Sequence, residues 1–194
     1  MKHFLILSIF LLCVTGRASS ATVSFNQWID ISVGTLSETY LNNTYTGRIG
    51  IFTGSAGANS SFDDINASFT SLGSASFASP AVLNENGFID LGVVTYDGAT
   101  YGGQQIYVWY TNGSNQNALI TGFGNFKSNL DVPASSSHTI ETANIGSLTI
   151  ITGSFNASGP SPYGGGMIRL NNIPEPSTFL LASLGVLALL RRRR

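Results

Sequence analysis

Apolar and polar residues alternate through most of the chain, the signature of strands with one buried face. Residues 22–33 show it best. Val23, Phe25, Ile29, Ile31 and Val33 fall on one face with Gln27, and Thr22, Ser24, Asn26, Trp28, Asp30 and Ser32 on the other. The same period predicts strands over 47–53, 65–70, 88–96, 105–111, 119–123, 139–142, 146–155 and 167–171. Turn chemistry separates them: Asn86-Gly87, Asp97-Gly98, Asn112-Gly113 and Ser158-Gly159-Pro160. Asn86-Gly87 is the best candidate for a two-residue hairpin, because both residues tolerate positive φ. Gly50, Gly92 and Gly153 inside predicted strands mark bulges or close sheet packing. Residues 35–43 hold one helical turn at most, and no long amphipathic helix is written in the chain. Many short strands joined by such turns predict an all-β domain, an antiparallel β-sandwich or jelly roll.

The two ends break this pattern. Met1-Lys2-His3 carries positive charge, residues 4–14 are apolar except Ser8, and Ala18-Ser19-Ser20-Ala21 is a run of small residues. That order is a secretory signal peptide, with cleavage predicted after Ala21 and Ala18 as second choice. The apolar run falls short of the roughly 20 residues a membrane helix needs. At the other end stand Pro174-Glu175-Pro176, then a nearly apolar stretch over 177–190, then Arg191, Arg192, Arg193 and Arg194. As a helix that stretch is about 21 Å long, a single short transmembrane helix against a hydrocarbon core of about 30 Å. The arginines snorkel and fix their own end on the cytoplasmic side. The chain therefore divides into a signal peptide (1–21), an exported β-domain (22–172) and a tail (173–194).

The tail resembles the PEP-CTERM sorting signal of bacterial exported proteins, whose marks are a Pro-Glu-Pro motif, an apolar helix and a terminal arginine cluster. Pro174, Glu175 and Pro176 match the motif, and Ser177-Thr178 follow it as they often do in that family. The resemblance is confined to residues 173–194. It implies a partner, exosortase, a membrane-embedded cysteine protease or transpeptidase, which cuts near the motif. Signal peptidase acts first. The protein is then released or transferred toward the cell surface or the extracellular matrix of a biofilm.

Charge changes meaning once the ends are set aside. The whole chain carries −1, but the middle holds Arg48, Lys127 and Arg169 against nine acidic residues, a net charge of −6. An acidic domain disfavours nucleic acid and anionic membrane surfaces as partners. The single cysteine, Cys13, leaves with the signal peptide, so neither a disulfide nor a thiolate metal site is expected.

Candidate chemistry in the middle is sparse. His138 is the one histidine left after processing, and Asp131 lies near it in sequence, but no Gly-x-Ser-x-Gly is present. His138 reads as a loop residue. Asp63 and Asp64 are adjacent, a poor glycosidase pair, since neighbours on a strand face opposite ways. On a loop they suit calcium, which takes oxygen ligands, or simply water. Trp28, Trp109, Tyr107 and Tyr110 offer a sugar-stacking platform, although both faces of 106–110 are bulky and a central core strand is the simpler reading. Sequon-like triplets begin at Asn42, Asn59, Asn66, Asn112 and Asn156. No catalytic residue, cofactor or metal is assigned. The order of expectation is a non-catalytic structural or adhesive protein of surface or matrix, then a carbohydrate-binding module with or without calcium, then a matrix polysaccharide hydrolase.

Overall fold

A computed structural model describes residues 20–26, 31–77, 87–128, 137–141, 148–161 and 164–172. The signal-peptide run, Trp28, Asn86, Asp131 and the tail from residue 173 onward lie outside them. What is described is all-β, with mainly antiparallel pairing and two very short helices.

The largest sheet has six strands. β3 (Thr46–Phe52) and β4 (Phe69–Ser76) form one side, β6 (Gln105–Thr111) and β7 (Gln116–Asn125) the centre. The free side of β7 is shared end to end by β9 (Thr149–Thr152) and β12 (Asn171–Asn172). A second sheet places β1 (Ser20–Asn26) between β5 (Asp90–Asp97), antiparallel, and β8 (Ser137–Glu141), parallel. A third places β11 (Met167–Arg169) between β10 (Ser154–Asn156), antiparallel, and β2 (Ser32–Gly34), parallel. Those two parallel pairs depart from the expected antiparallel arrangement.

One core unites the three sheets. Val23, Phe25, Val94 and Tyr96 meet Ile49, Val108, Tyr110 and Ile120 of the large sheet, with Val33 and Ile168 of the third. These positions alternate along each strand, so burial of the apolar face at about 25 cal/mol per Å² fixes the register. The opposite face of the large sheet carries a smaller cluster of Phe52, Ile65, Trp109 and Leu119.

Several expected strands continue as two strands in different sheets. The predicted strand over 22–33 is β1 and β2, that over 146–155 is β9 and β10, and that over 167–171 is β11 and β12. A change of sheet preserves hydrophobic alternation on both sides of the joint, so the pattern alone reads as one strand. The strand expected over 65–70 is corrected at its start. Residues 62–66 form the helix α1 (Phe62–Asn66), and β4 begins only at Phe69. Ser61 supplies the reason: its hydroxyl accepts the Asp64 N–H at 3.2 Å, while Asp64 Oδ2 accepts the Ser61 N–H at 2.9 Å. That reciprocal capping box satisfies two amide donors that a helix start leaves open. The turn expected as helical over 35–43 is a non-helical loop closed by an isolated bridge from Gly34 to Tyr40.

A tight hairpin lies at Asn112-Gly113, whereas the expected hairpin at Asn86-Gly87 falls partly outside the described residues. Thr111 pairs with Asn117 across residues 112–116, and Asn112 Oδ1 accepts from the N–H groups of Ser114 and Gln116. Gly87 instead bonds the 33–41 segment, donating to Leu41 O and accepting from Val33 N. Two of the in-strand glycines are irregularities the sequence marked. The β3–β4 register shifts at Gly50, where an added Cβ would stand 2.0 Å from Thr70 O. Gly92 adopts φ +61° beside the shift in the β1–β5 register, a conformation that costs other residues energy.

Candidate functional site

The chain ends its described course inside the fold. Met167, Ile168 and Leu170 are buried, and the Leu170 N–H donates to Gly34 O at 2.9 Å. Asn171 then pairs with Asn117 and Asn172 with Gln116, antiparallel to β7. The Asn171 amide also donates to Ala58 O at 2.7 Å. Pro174 follows two residues after the last ladder position. The root of the predicted sorting tail is thus part of the hydrophobic core and of the edge of the large sheet.

The direction of exit follows from the register. β12 runs toward Gln116, hence toward the 112–115 turn between β6 and β7. Thr46 pairs with Thr111, which brings the 42–45 segment to the same end. Tyr45 donates its hydroxyl proton to Gln116 Oε1 there, and partial burial raises the Tyr45 pKa. Asn42 Oδ1 accepts from the Thr44 N–H and hydroxyl at 3.0 and 2.7 Å. Both turns are built from Asn, Thr, Gly and Ser, without a charged side chain.

A second polar contact ties this root to the 35–39 loop. Glu38 Oε1 accepts from Arg169 Nη1 at 3.2 Å and from Asn156 Nδ2 at 2.6 Å. Glu38 has φ +63°, the one positive value at a non-glycine residue among the described residues. Two donors on its carboxylate hold a backbone conformation that would otherwise be disfavoured.

The structure places the aromatic candidates on different faces. Trp109 is wholly buried on the smaller cluster, with Phe62 at 5.1 Å, Phe69 at 5.3 Å and the Arg48 guanidinium at 5.1 Å from its ring. Its faces lie against protein, so no stacking surface is open at Trp109. Tyr107 is half-buried against Phe52, ring to ring at 5.8 Å. Tyr110 points into the main core against Phe77, and burial raises its pKa. Trp109, Tyr107 and Tyr110 therefore do not form one platform. Arg48 was not singled out by sequence. Its position opposite Trp109 is legible only once β3 is paired with β6.

Asp63 and Asp64 open α1 and are exposed. The backbone and hydroxyl donors of Ser61 hold the Asp64 carboxyl below the usual carboxylate range. Asp64 is therefore engaged in capping. Asp97 caps α2 (Gly98–Tyr101) through Ala99 N at 2.9 Å, and Asp90 accepts from Gly92 N at 2.7 Å. Among the described residues no three His, Cys, Asp or Glu side chains gather as metal ligands. His138 lies in β8, in register with Val23. Ala21 lies in β1, buried and paired with Tyr96. Cleavage after Ala18 would keep β1 whole, whereas cleavage after Ala21 would remove its first two residues.

Among the described residues, no helix is long and apolar enough to cross a membrane. The apolar stretch 177–190 and the arginines Arg191–Arg194 lie outside them.

Comparison with known protein families finds the PEP-CTERM protein-sorting motif over residues 172–194. No curated protein and no solved structure matches the chain.

Proposed function

We propose that this exosortase-sorted chain is a non-catalytic structural or adhesive component of the bacterial surface or extracellular matrix. The premise is the PEP-CTERM motif at 172–194, which implies sorting by exosortase and passage across the membrane. Signal peptidase removes the N-terminal address. The tail then holds the domain at the outer face of the inner membrane until exosortase acts near Pro174-Glu175-Pro176. Its sandwich-like β-domain is the delivered cargo.

The observation that carries the sorting part is the position of the motif. It begins directly after a core-rooted strand, so a cut there releases an entire folded domain and leaves only the hydrophobic address behind. The non-catalytic reading is supported by what four of the described carboxylates do. Glu38, Asp64, Asp90 and Asp97 each bond a neighbouring loop, cap or bulge, which commits them to local structure. A general acid and base need instead to converge on one open site.

The test is fractionation in the native host. The wild-type chain is expected outside the cell or in the matrix. A Glu175→Ala, Pro174→Ala, Pro176→Ala triple variant is expected to stay with the inner membrane. Equal release of both would overturn the sorting assignment. Turnover of matrix polysaccharide by the purified wild-type domain would overturn the non-catalytic one.

A further inference from the structure

We propose that the end of the domain bearing the turns at 42–44 and 112–115 is a membrane-facing surface, seated on lipid headgroups while the sorting tail spans the bilayer. The proposal rests on the tail anchoring described above and adds the surface and its partner.

The reach of the tail sets the height of the domain above the bilayer. As a helix, residues 177–190 span about 21 Å, against a hydrocarbon core of about 30 Å. With the arginines held at the cytoplasmic boundary, the helix ends about 9 Å below the outer edge of the hydrocarbon, and the headgroups add roughly 6 Å more. Residues 173–176 are all that connect the helix to Asn172, and the five backbone steps from Asn172 to Ser177 reach at most about 18 Å when fully extended. The connection is therefore nearly used up in leaving the bilayer. Asn172 lies within a few ångströms of the headgroup layer while it remains paired with Gln116, and the 112–115 turn projects past it toward the bilayer. Local thinning of the bilayer shortens the climb by a few ångströms and leaves the domain in contact.

Register decides which part of the domain makes that contact. β12 points toward the 112–115 turn, and the Tyr45–Gln116 hydrogen bond brings the 42–44 turn alongside. The opposite end is about 30 Å away along the ten residues of β7, where the Gly103 N–H bonds Phe126 O and α2 begins after Asp97. Charge fits this orientation. The acidic balance of the domain alone would keep it off an anionic surface. The two turns nearest the exit carry no charge, and their amides and hydroxyls suit hydrogen bonding to headgroups. Asp97 and Lys127 lie at the far end.

Single-cysteine labelling tests this in the full chain with its tail, in a Cys13→Ser background. Asn43→Cys and Ser114→Cys place a fluorophore at the near end and Ala99→Cys at the far end, all at exposed positions. The proteins are reconstituted in phosphatidylethanolamine–phosphatidylglycerol vesicles carrying a headgroup-level spin label. Quenching is expected to be several-fold stronger at positions 43 and 114 than at 99. A Gly-Ser insertion of about ten residues after Asn172 is expected to abolish the difference, because the tether then clears the headgroups. Equal quenching at all three positions of the uninserted chain overturns the proposed surface. Removal of the chain from the vesicles by carbonate overturns the anchoring on which it rests.

Discussion

Trp109→Ala separates a core tryptophan from a ligand platform by its effect on stability. Trp109 is fully buried between Phe62, Phe69 and the Arg48 guanidinium. A buried aromatic side chain removes on the order of 150–250 Å² from water, worth about 4–6 kcal/mol at about 25 cal/mol per Å² as an upper bound. Loss of the Arg48 contact adds about 1 kcal/mol. One term runs the other way. Trp109 Nε1 is buried without a hydrogen-bond partner, so its removal returns about 1–3 kcal/mol. The terms sum to a loss of about 2–6 kcal/mol, centred in the range of about 3–5 kcal/mol for aromatic truncation in cores. That is a large fraction of the 5–15 kcal/mol or so that stabilises a typical domain. Urea unfolding of the isolated domain, followed by circular dichroism, reads it directly. Trp109→Phe, which keeps most of the packing and deletes the orphan N–H, is expected within about 1 kcal/mol of wild type. A loss below about 1 kcal/mol for Trp109→Ala would refute the reasoning. It would mean that α1 does not cover the ring and that the indole faces solvent.

Tyr110→Phe is expected to be neutral or stabilising by about 1 kcal/mol near neutral pH, because the Tyr110 hydroxyl is buried without a partner. Burial raises the Tyr110 pKa above its ordinary value of about 10, because the folded core disfavours the phenolate; as pH climbs past that value the unfolded chain ionises first and stability falls. Urea midpoints across the alkaline range should therefore fall less steeply in Tyr110→Phe. Asp64 behaves oppositely: its pKa is lowered by Ser61, so its contribution is present above the ordinary carboxylate range and lost as pH falls below it. Asp64→Ala is expected to flatten the acid limb of the same measurement. Gly50→Ala should unfold or aggregate the domain, or cost about 3 kcal/mol or more, since its Cβ would meet the Thr70 carbonyl, which the sheet holds in place. A soluble Gly50→Ala domain with a wild-type thermal midpoint would contradict the β3–β4 bulge.

Strand periodicity carried much of the fold. β6 occupies 105–111 as the alternation predicts, because both its faces are packed and its ends are set by Gln105 and the Asn112-Gly113 turn. Gly50 and Gly92 announced bulges because only glycine meets their steric and φ requirements. Other features depend on partners distant in sequence. Nothing local tells that β1 pairs in parallel with β8, or that β2 joins β11 more than a hundred residues away. The helix α1 had a local signal that alternation outvoted. Ser61 stands three residues before Asp64, with Phe62 and Ile65 spaced for one helical face. The sorting tail was legible because its order of Pro-Glu-Pro, apolar run and arginines needs no folded context. Where that tail is rooted was not, since the place of β12 on the edge of β7 depends on the whole sheet. The bulky faces of 106–110 pointed to a core strand, and Trp109 is buried there, but that α1 arrives from elsewhere to cover its ring is not local information.

Export and tail removal are read together from the intact mass of the extracellular protein of its native host. The expected mass lacks the signal peptide and Arg191–Arg194, with the C-terminus near Pro174-Glu175-Pro176. The same spectrum distinguishes cleavage after Ala21 from cleavage after Ala18. An extracellular species that retains the four arginines would rule out sorting by removal of the tail.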